Sequence, residues 1–308
     1  MADSLRIAVV GAGAIGSFYG GKLAVGGLDV HFLVRGGFDQ IKRSGIRIRG
    51  RKENFHVADA RVYRTATEIG PCDLVLIALK ATNNDAMLEL IPPLLHRGTI
   101  LLTLQNGLGN VEFLAQHFGA ERVMGGLCFI CLNRVSPGLI EHLDHGHLNL
   151  GELAGVAKER THNLARQFGQ CGVECRVVEN LIEEHWHKLV WNIPFNGLTI
   201  AAGRITTADI LRDHSLRSEA IALMNEVVVG AKCCGYNLPM DVILEQIKRT
   251  ETIGAYKPST LLDFEAGRAL EIEAIWGEPL RRAQAHGAAM PRLEQLYMHL
   301  KSLDVRRE

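Results

Sequence analysis

Lys188, Asn192 and Asn196 are spaced by four within a stretch, residues 186–198, whose other members are nearly all large and apolar. On a helix, residues at that spacing share one face. A lysine and two amides flanked by Trp186 and Trp191 are costly to bury without polar partners. The face therefore looks into water or into a polar pocket. In a pocket, the ammonium can stabilise negative charge that develops on an oxygen and can donate a proton to it. The alternative is a lysine that snorkels to solvent along an apolar face.

The elements that would position this face follow from the pattern around it. Residues 5–10 form an apolar run, as a buried parallel strand should. They lead into Gly11-Ala12-Gly13-Ala14-Ile15-Gly16, then a helical pattern to about Val25, then a second strand at residues 29–34. A GxGxxG between a strand and a helix lets the backbone approach a pyrophosphate, and the helix start supplies free N–H groups. The alternative is a glycine-rich turn with no ligand. The second strand ends in Leu33-Val34-Arg35 where an NAD site usually places a carboxylate. An arginine can pair with a 2′-phosphate in a forked geometry, so Arg35 argues for NADP over NAD; a surface arginine is the plain alternative.

Further strands are expected within residues 46–63, at 73–79 and at 99–104, with a helix at 85–95 stopped near Pro92-Pro93. Lys80 and Asn106 fall just past the carboxyl ends of two of these strands, where open α/β sheets bind ligands. Asn106 before Gly107 could equally cap a turn. Residues 123–150 read as antiparallel strands turning at Pro137-Gly138, followed by a helix at 160–171 and a last strand at 174–178. From Leu181 onward the periodicity is helical, near 183–202, 215–234, 239–252, 261–286 and 291–303. The expected fold is α/β: a Rossmann-type doubly wound domain over residues 1–179 and an all-helical domain over 180–308.

Composition narrows the function classes. Of 308 residues, 47% are hydrophobic and 22% charged, with a formal net charge of zero, so nothing draws the chain as a whole toward nucleic acid or acidic membranes. Seven scattered cysteines read as reduced thiols of a cytoplasmic protein rather than as a disulfide framework. Neither a signal peptide nor a membrane span is expected. Cys128-x-x-Cys131 lacks a second pair and is read as structural. His142, His145 and His147 cluster near a turn without ligand-like partners, and His185 and His187 flank Trp186; none is taken as a site. No metal is expected.

Taken together, these residues resemble the ketopantoate reductases (2-dehydropantoate 2-reductases), over nearly the full length. The resemblance rests on Gly11-x-Gly13-x-x-Gly16, Arg35, Lys80-Ala81, Gln105-Asn106-Gly107 and Lys188-x-x-x-Asn192-x-x-x-Asn196. It continues in Ser259-x-Leu261-x-Asp263 and Glu271-Ile272-Glu273. It implies a Rossmann domain followed by a helical domain, with the active site in the cleft between them. It implies NADPH-dependent reduction of ketopantoate to (R)-pantoate on the pantothenate route, with Lys188 as general acid supported by Glu271. Asn106, Asn192, Asn196 and Ser259 would contact substrate. Residues 11–16, Arg35, Lys80, Asn106 and Glu271 would border the cofactor. A homodimer is expected from the family and from the apolar helical half.

Two departures bear on the substrate. Tyr256-Lys257-Pro258 precedes Ser259 where the family often carries His or Asn, and Trp276-Gly277 stands where Asn-Gly is common. A tryptophan near the site would reshape the acyl pocket, so a related 2-oxo or hydroxy acid dehydrogenase stays open. A non-catalytic NADP-binding regulator stays open too. Pro194 removes an N–H from the helix and is expected to kink it between the two asparagines.

Overall fold

The computed structural model describes residues 5–50 and 53–305. Residues 1–4, where the absence of a signal peptide was expected, lie outside the described residues. The chain divides into two compact units. The first comprises residues 1–105 and 110–181, the second residues 106–109 and 182–308.

The first unit is built on a ten-stranded sheet. Its strands are β1 (Arg6–Val10), β2 (Asp29–Leu33), β3 (Ile46–Gly50), β4 (Phe55–Val57), β5 (Arg61–Tyr63), β6 (Leu74–Ile77), β7 (Ile100–Thr103), β8 (Val123–Ser136), β9 (Leu139–Glu152) and β10 (Cys175–Val177). The run β5-β2-β1-β6-β7-β8 is parallel throughout. That is the strand order of a doubly wound nucleotide-binding sheet, whose direction of growth reverses between β1 and β6. The central strands are buried on both faces, which is why they read as unbroken apolar runs: Ile7 to Val10 and Leu74 to Ile77 are all fully buried.

The sheet extends past the parallel core because β8 and β9 form a long antiparallel hairpin through the Pro137-Gly138 turn. The short segments expected at 123–150 merge into these two 14-residue strands. The free edge of β9 takes up β3 and β10 in parallel, and β4 closes onto β3.

Helices α1 (Ala14–Val25), α2 (Phe38–Ser44), α3 (Ala66–Ile69), α4 (Met87–Leu90), α5 (Asn110–Phe118) and α6 (Glu159–Gln170) complete the first unit. The single helix expected at 85–95 is instead a 3₁₀ turn over Ala81–Ala86, the one-turn α4, and a second 3₁₀ turn over Pro92–Leu94. Asn83 sits off helical geometry, and the two prolines lack the N–H groups that would extend α4.

The second unit is helical: α7 (Leu181–Ala201), α8 (Thr207–Arg212), α9 (His214–Cys233), α10 (Val242–Ile253), α11 (Ser259–Glu265), α12 (Glu278–Ala285) and α13 (Pro291–Val305). The helix expected at 261–286 is broken. Asp263 pairs with Arg268 Nε at 2.7 Å and its carbonyl accepts the Arg268 N–H at 2.9 Å, which closes a turn after α11. The chain then re-enters helix through one π turn, Glu273–Gly277. The short α8 went unread, although Thr206 and Asp209 form a capping box at its start. Among the described residues, no helix is long and apolar enough to cross a membrane.

Candidate active site

In the first unit the glycine loop lies at the switch point of the sheet. Gly11 has φ +103°, and a Cβ there would stand 2.9 Å from the Ala78 carbonyl at the end of β6. Only glycine allows the β1 end to pass that close. Gly13, the residue before α1, has nothing within 4 Å of an added Cβ. Its lack of a side chain is therefore not demanded by packing within the protein. It leaves open space against the first N–H groups of α1, a cradle that fits a pyrophosphate. Ala12, Ala14 and Ile15 complete the turn between β1 and Gly16. Arg35 follows β2, is exposed, and has no ion pair among the described residues. Lys80 is half-buried and extended, three residues past β6.

Sequence reasoning quoted Gln105 without a role. The structure supplies one: its side chain is buried, with Oε1 accepting from Thr103 Oγ1 at 2.9 Å and Nε2 donating to Asn84 Oδ1 at 2.8 Å. Asn84 Nδ2 in turn donates to Asn110 Oδ1 at 3.0 Å. This amide chain ties Asn84, Gln105 and Asn110 together within the first unit. Its members lie in separate stretches, so no local pattern announced it.

Within the second unit, the loop residues 106–109 pack against the π turn. The Leu108 N–H donates to the Ala274 carbonyl at 2.9 Å. Gly107 has φ +84°, and a Cβ there would collide with that same carbonyl. This seat places Asn106 against α7, where Lys188 Nζ donates to Asn106 Oδ1 at 2.8 Å. Glu271, 6% exposed, lies two residues before the π turn that carries Ala274.

Helix α7 is continuous across Pro194. Lys188, Asn192 and Asn196 thus keep their four-residue spacing on one stripe. Asn192 and Asn196 are buried, and Asn196 Oδ1 has no hydrogen-bond partner among the described residues. A buried amide oxygen without a donor is costly unless a ligand supplies one. His185, one turn before Lys188, is also buried. Burial first, then the charges of Lys188 and Arg282, push its pKa down to about 3, so the ring is neutral at pH 7.

The two departures part company. Trp276 is fully buried and its Nε1 donates to the Ile193 carbonyl at 3.0 Å. It comes this close because Gly197 has no side chain: a Cβ there would lie 3.1 Å from Trp276 Nε1. Trp276 is a packing residue of the helical core, which corrects the expectation that it shapes an acyl pocket. Tyr256 stays beside the α7 stripe. Its N–H donates to Thr207 Oγ1 at 3.2 Å, and its half-buried ring lies 6.3 Å from Trp191. Trp191 is itself held by Nε1 donating to Thr250 Oγ1 at 2.9 Å. Ser259 is the exposed first residue of α11.

The histidines set aside earlier have structural contacts. His142 Nδ1 lies 3.3 Å from Glu53 Oε1, and His147 stacks on Phe129 at 4.6 Å. Among the described residues, no group of three or more His, Cys, Asp or Glu side chains is arranged to hold a metal ion.

A nucleotide-type doubly wound sheet with its glycine cradle, and a helical unit presenting a lysine among amides, define an oxidoreductase of the Rossmann-plus-helical class. The family models "Ketopantoate reductase PanE/ApbA" and "Ketopantoate reductase PanE/ApbA C terminal" match residues 7–155 and 180–304. The chain belongs to the ketopantoate reductase family. It is 36% identical to a 2-dehydropantoate 2-reductase of Nostoc sp., over 98% of this chain and 96% of that one. A solved 2-dehydropantoate 2-reductase from Geobacter metallireducens superposes with a TM-score of 0.94 at 44% identity, covering 97% of this chain and 99% of that one. A D-mandelate dehydrogenase solved with NADH and anilino(oxo)acetate shares the fold, with a TM-score of 0.89 at 23% identity over 98% and 99% of the chains.

Proposed function

We propose that the chain reduces a 2-oxo acid, ketopantoate, to its 2-hydroxy acid with NADPH. The observation that carries this reading is the hydrogen bond from Lys188 Nζ to Asn106 Oδ1, on a helix stripe that also holds the buried, unpartnered amide oxygen of Asn196. When bound, the reduced nicotinamide supplies the hydride that the keto carbon accepts. Lys188 faces the keto oxygen and gives up its proton there as the C–H bond forms, so C=O becomes CH–OH. Asn106 fixes the ammonium. Glu271 orients Lys188 and favours its charged form. Asn192, Asn196 and Ser259 take the substrate's carboxylate and hydroxyl oxygens; Asn196 Oδ1, as an acceptor, suits the hydroxyl.

The glycine cradle supports residues 11–16 as the pyrophosphate site. The exposed Arg35 supports NADP over NAD, and Lys80, Asn106 and Glu271 would border the nicotinamide end. In this reading residues 1–179 bind the cofactor, and residues 180–308 carry the substrate wall in a cytoplasmic enzyme. A homodimer is the assembly we propose; a monomer mass by light scattering would contradict it.

Turnover of a panel of 2-oxo acids with NADPH and NADH tests the reading. Ketopantoate with NADPH is expected to give the highest kcat/KM. Turnover of another acid in its place would move the assignment to a related dehydrogenase, with Trp191 and Tyr256 as the side-chain wall. The Arg35→Ala variant should lose NADPH affinity much more than NADH affinity. Equal losses would show that Arg35 does not read the 2′-phosphate.

A further inference from the structure

The carboxyl ends of β2 and β5 lie side by side. Leu33 stands opposite Tyr63, and the Val34 N–H donates to the Tyr63 carbonyl at 2.9 Å. Arg35 and Arg64 therefore leave the sheet as neighbours, at the same end of the strands as the glycine loop. Arg64 is placed twice over. Its N–H and that of Thr65 both donate to Glu68 Oε2, at 3.0 and 2.9 Å, in the capping box of α3. Its guanidinium lies over the Phe38 ring, 4.0 Å from the centroid, and donates to Asp39 Oδ1 at 3.0 Å. Phe38 and Asp39 lie three and four residues after Arg35, beyond Gly36-Gly37, so the Arg64 side chain is turned toward the segment that begins with Arg35.

Stability does not account for this arrangement. The Arg64 and Asp39 side chains are 56% and 78% exposed, and exposed ion pairs contribute little. We infer that Arg64 is a second guanidinium for the 2′-phosphate of the dinucleotide, acting beside Arg35. This rests on the NADP reading proposed above. A phosphate monoester carries close to two negative charges and three acceptor oxygens, enough for two guanidinium forks. The stack on Phe38 and the capped backbone hold the fork in place before the ligand arrives, which lowers the ordering cost of binding. Asp39 is the counter-ion of the free protein, and the more highly charged phosphate replaces it.

The test is calorimetric titration of the full chain with 2′,5′-ADP and with 5′-ADP. Wild type should favour 2′,5′-ADP. The Arg64→Ala variant should bind 2′,5′-ADP about 5–30-fold more weakly, the range for losing a charge-assisted hydrogen bond at an exposed site. Its affinity for 5′-ADP should stay within about twofold, because that ligand lacks the group Arg64 contacts. Asp39→Asn should tighten 2′,5′-ADP binding. Equal losses for both ligands, or no loss for either, would overturn the inference. Wild type without preference for 2′,5′-ADP would overturn the NADP reading and this inference together. A preference abolished by Arg35→Ala and untouched by Arg64→Ala would overturn this inference alone.

Discussion

Lys188 Nζ donates to Asn106 Oδ1 at 2.8 Å across 82 residues of sequence. Asn106 reaches that position because the loop it begins is fastened to the Ala274 carbonyl through the Leu108 N–H. If Lys188 is the general acid, Lys188→Ala should lower kcat by ~10²–10⁴-fold. Asn106→Ala keeps the ammonium and removes its positioning partner together with one amide at the nicotinamide end. It should cost less, about 10–100-fold in kcat/KM, the scale of one or two charge-assisted hydrogen bonds. Steady-state kinetics on both variants decide the order; a larger loss for Asn106→Ala would remove Lys188 from its role.

Gly107 is the hinge of that fastening. Its φ of +84° and the Ala274 carbonyl against it leave no room for a methyl group. Gly107→Ala should therefore displace the loop and lower stability by about 1–3 kcal/mol. The kinetic signature should resemble that of Asn106→Ala. A variant with a normal melting temperature and normal turnover would show that the loop seat is not needed.

Trp276 should matter to stability and not to substrate choice. Replacing it with leucine removes the bond to the Ile193 carbonyl and leaves a cavity beside Gly197 and Leu296. The expected cost is about 2–4 kcal/mol, with the ranking of 2-oxo acids by kcat/KM unchanged. A reordered ranking would return Trp276 to the pocket wall. Tyr256→Ala supplies the contrast: its half-buried ring beside Trp191 should alter the ranking with a smaller change in melting temperature.

His185 adds a pH dependence. Burial holds its folded pKa down to about 3, against the ordinary histidine value of 6.5. Between those values the unfolded chain binds a proton that the folded chain does not, so stability rises with pH there. The contribution is complete above pH 6.5 and is lost as pH falls toward 3. His185→Leu removes the titration. Its stability should fall less than that of wild type between pH 7 and pH 5, by up to about 2 kcal/mol. Parallel denaturation curves for the two proteins at both pH values would contradict this.

Much of the architecture was legible in the chain. Unbroken apolar runs mark strands buried on both faces, and the glycine loop between β1 and α1 marks the switch point of the sheet. The four-residue stripe on α7 is a local property of one helix, readable because helical geometry repeats. Length of elements was harder. The helix expected at 261–286 fails because Asp263 and Arg268 close a turn, and that pairing competes with a helical period that was otherwise satisfied.

By itself the sequence determined the class of each unit and the residue types of the stripe, since both follow from periodicity and short-range backbone chemistry. Only the tertiary structure decided which distant groups meet. It set Asn106 on Lys188 through Gly107 and Ala274, joined Gln105, Asn84 and Asn110 in one amide chain within the first unit, and sent Trp276 into the core while leaving Tyr256 beside Trp191. Such contacts depend on how separated segments pack, and packing is a property of the whole fold rather than of any window of the chain.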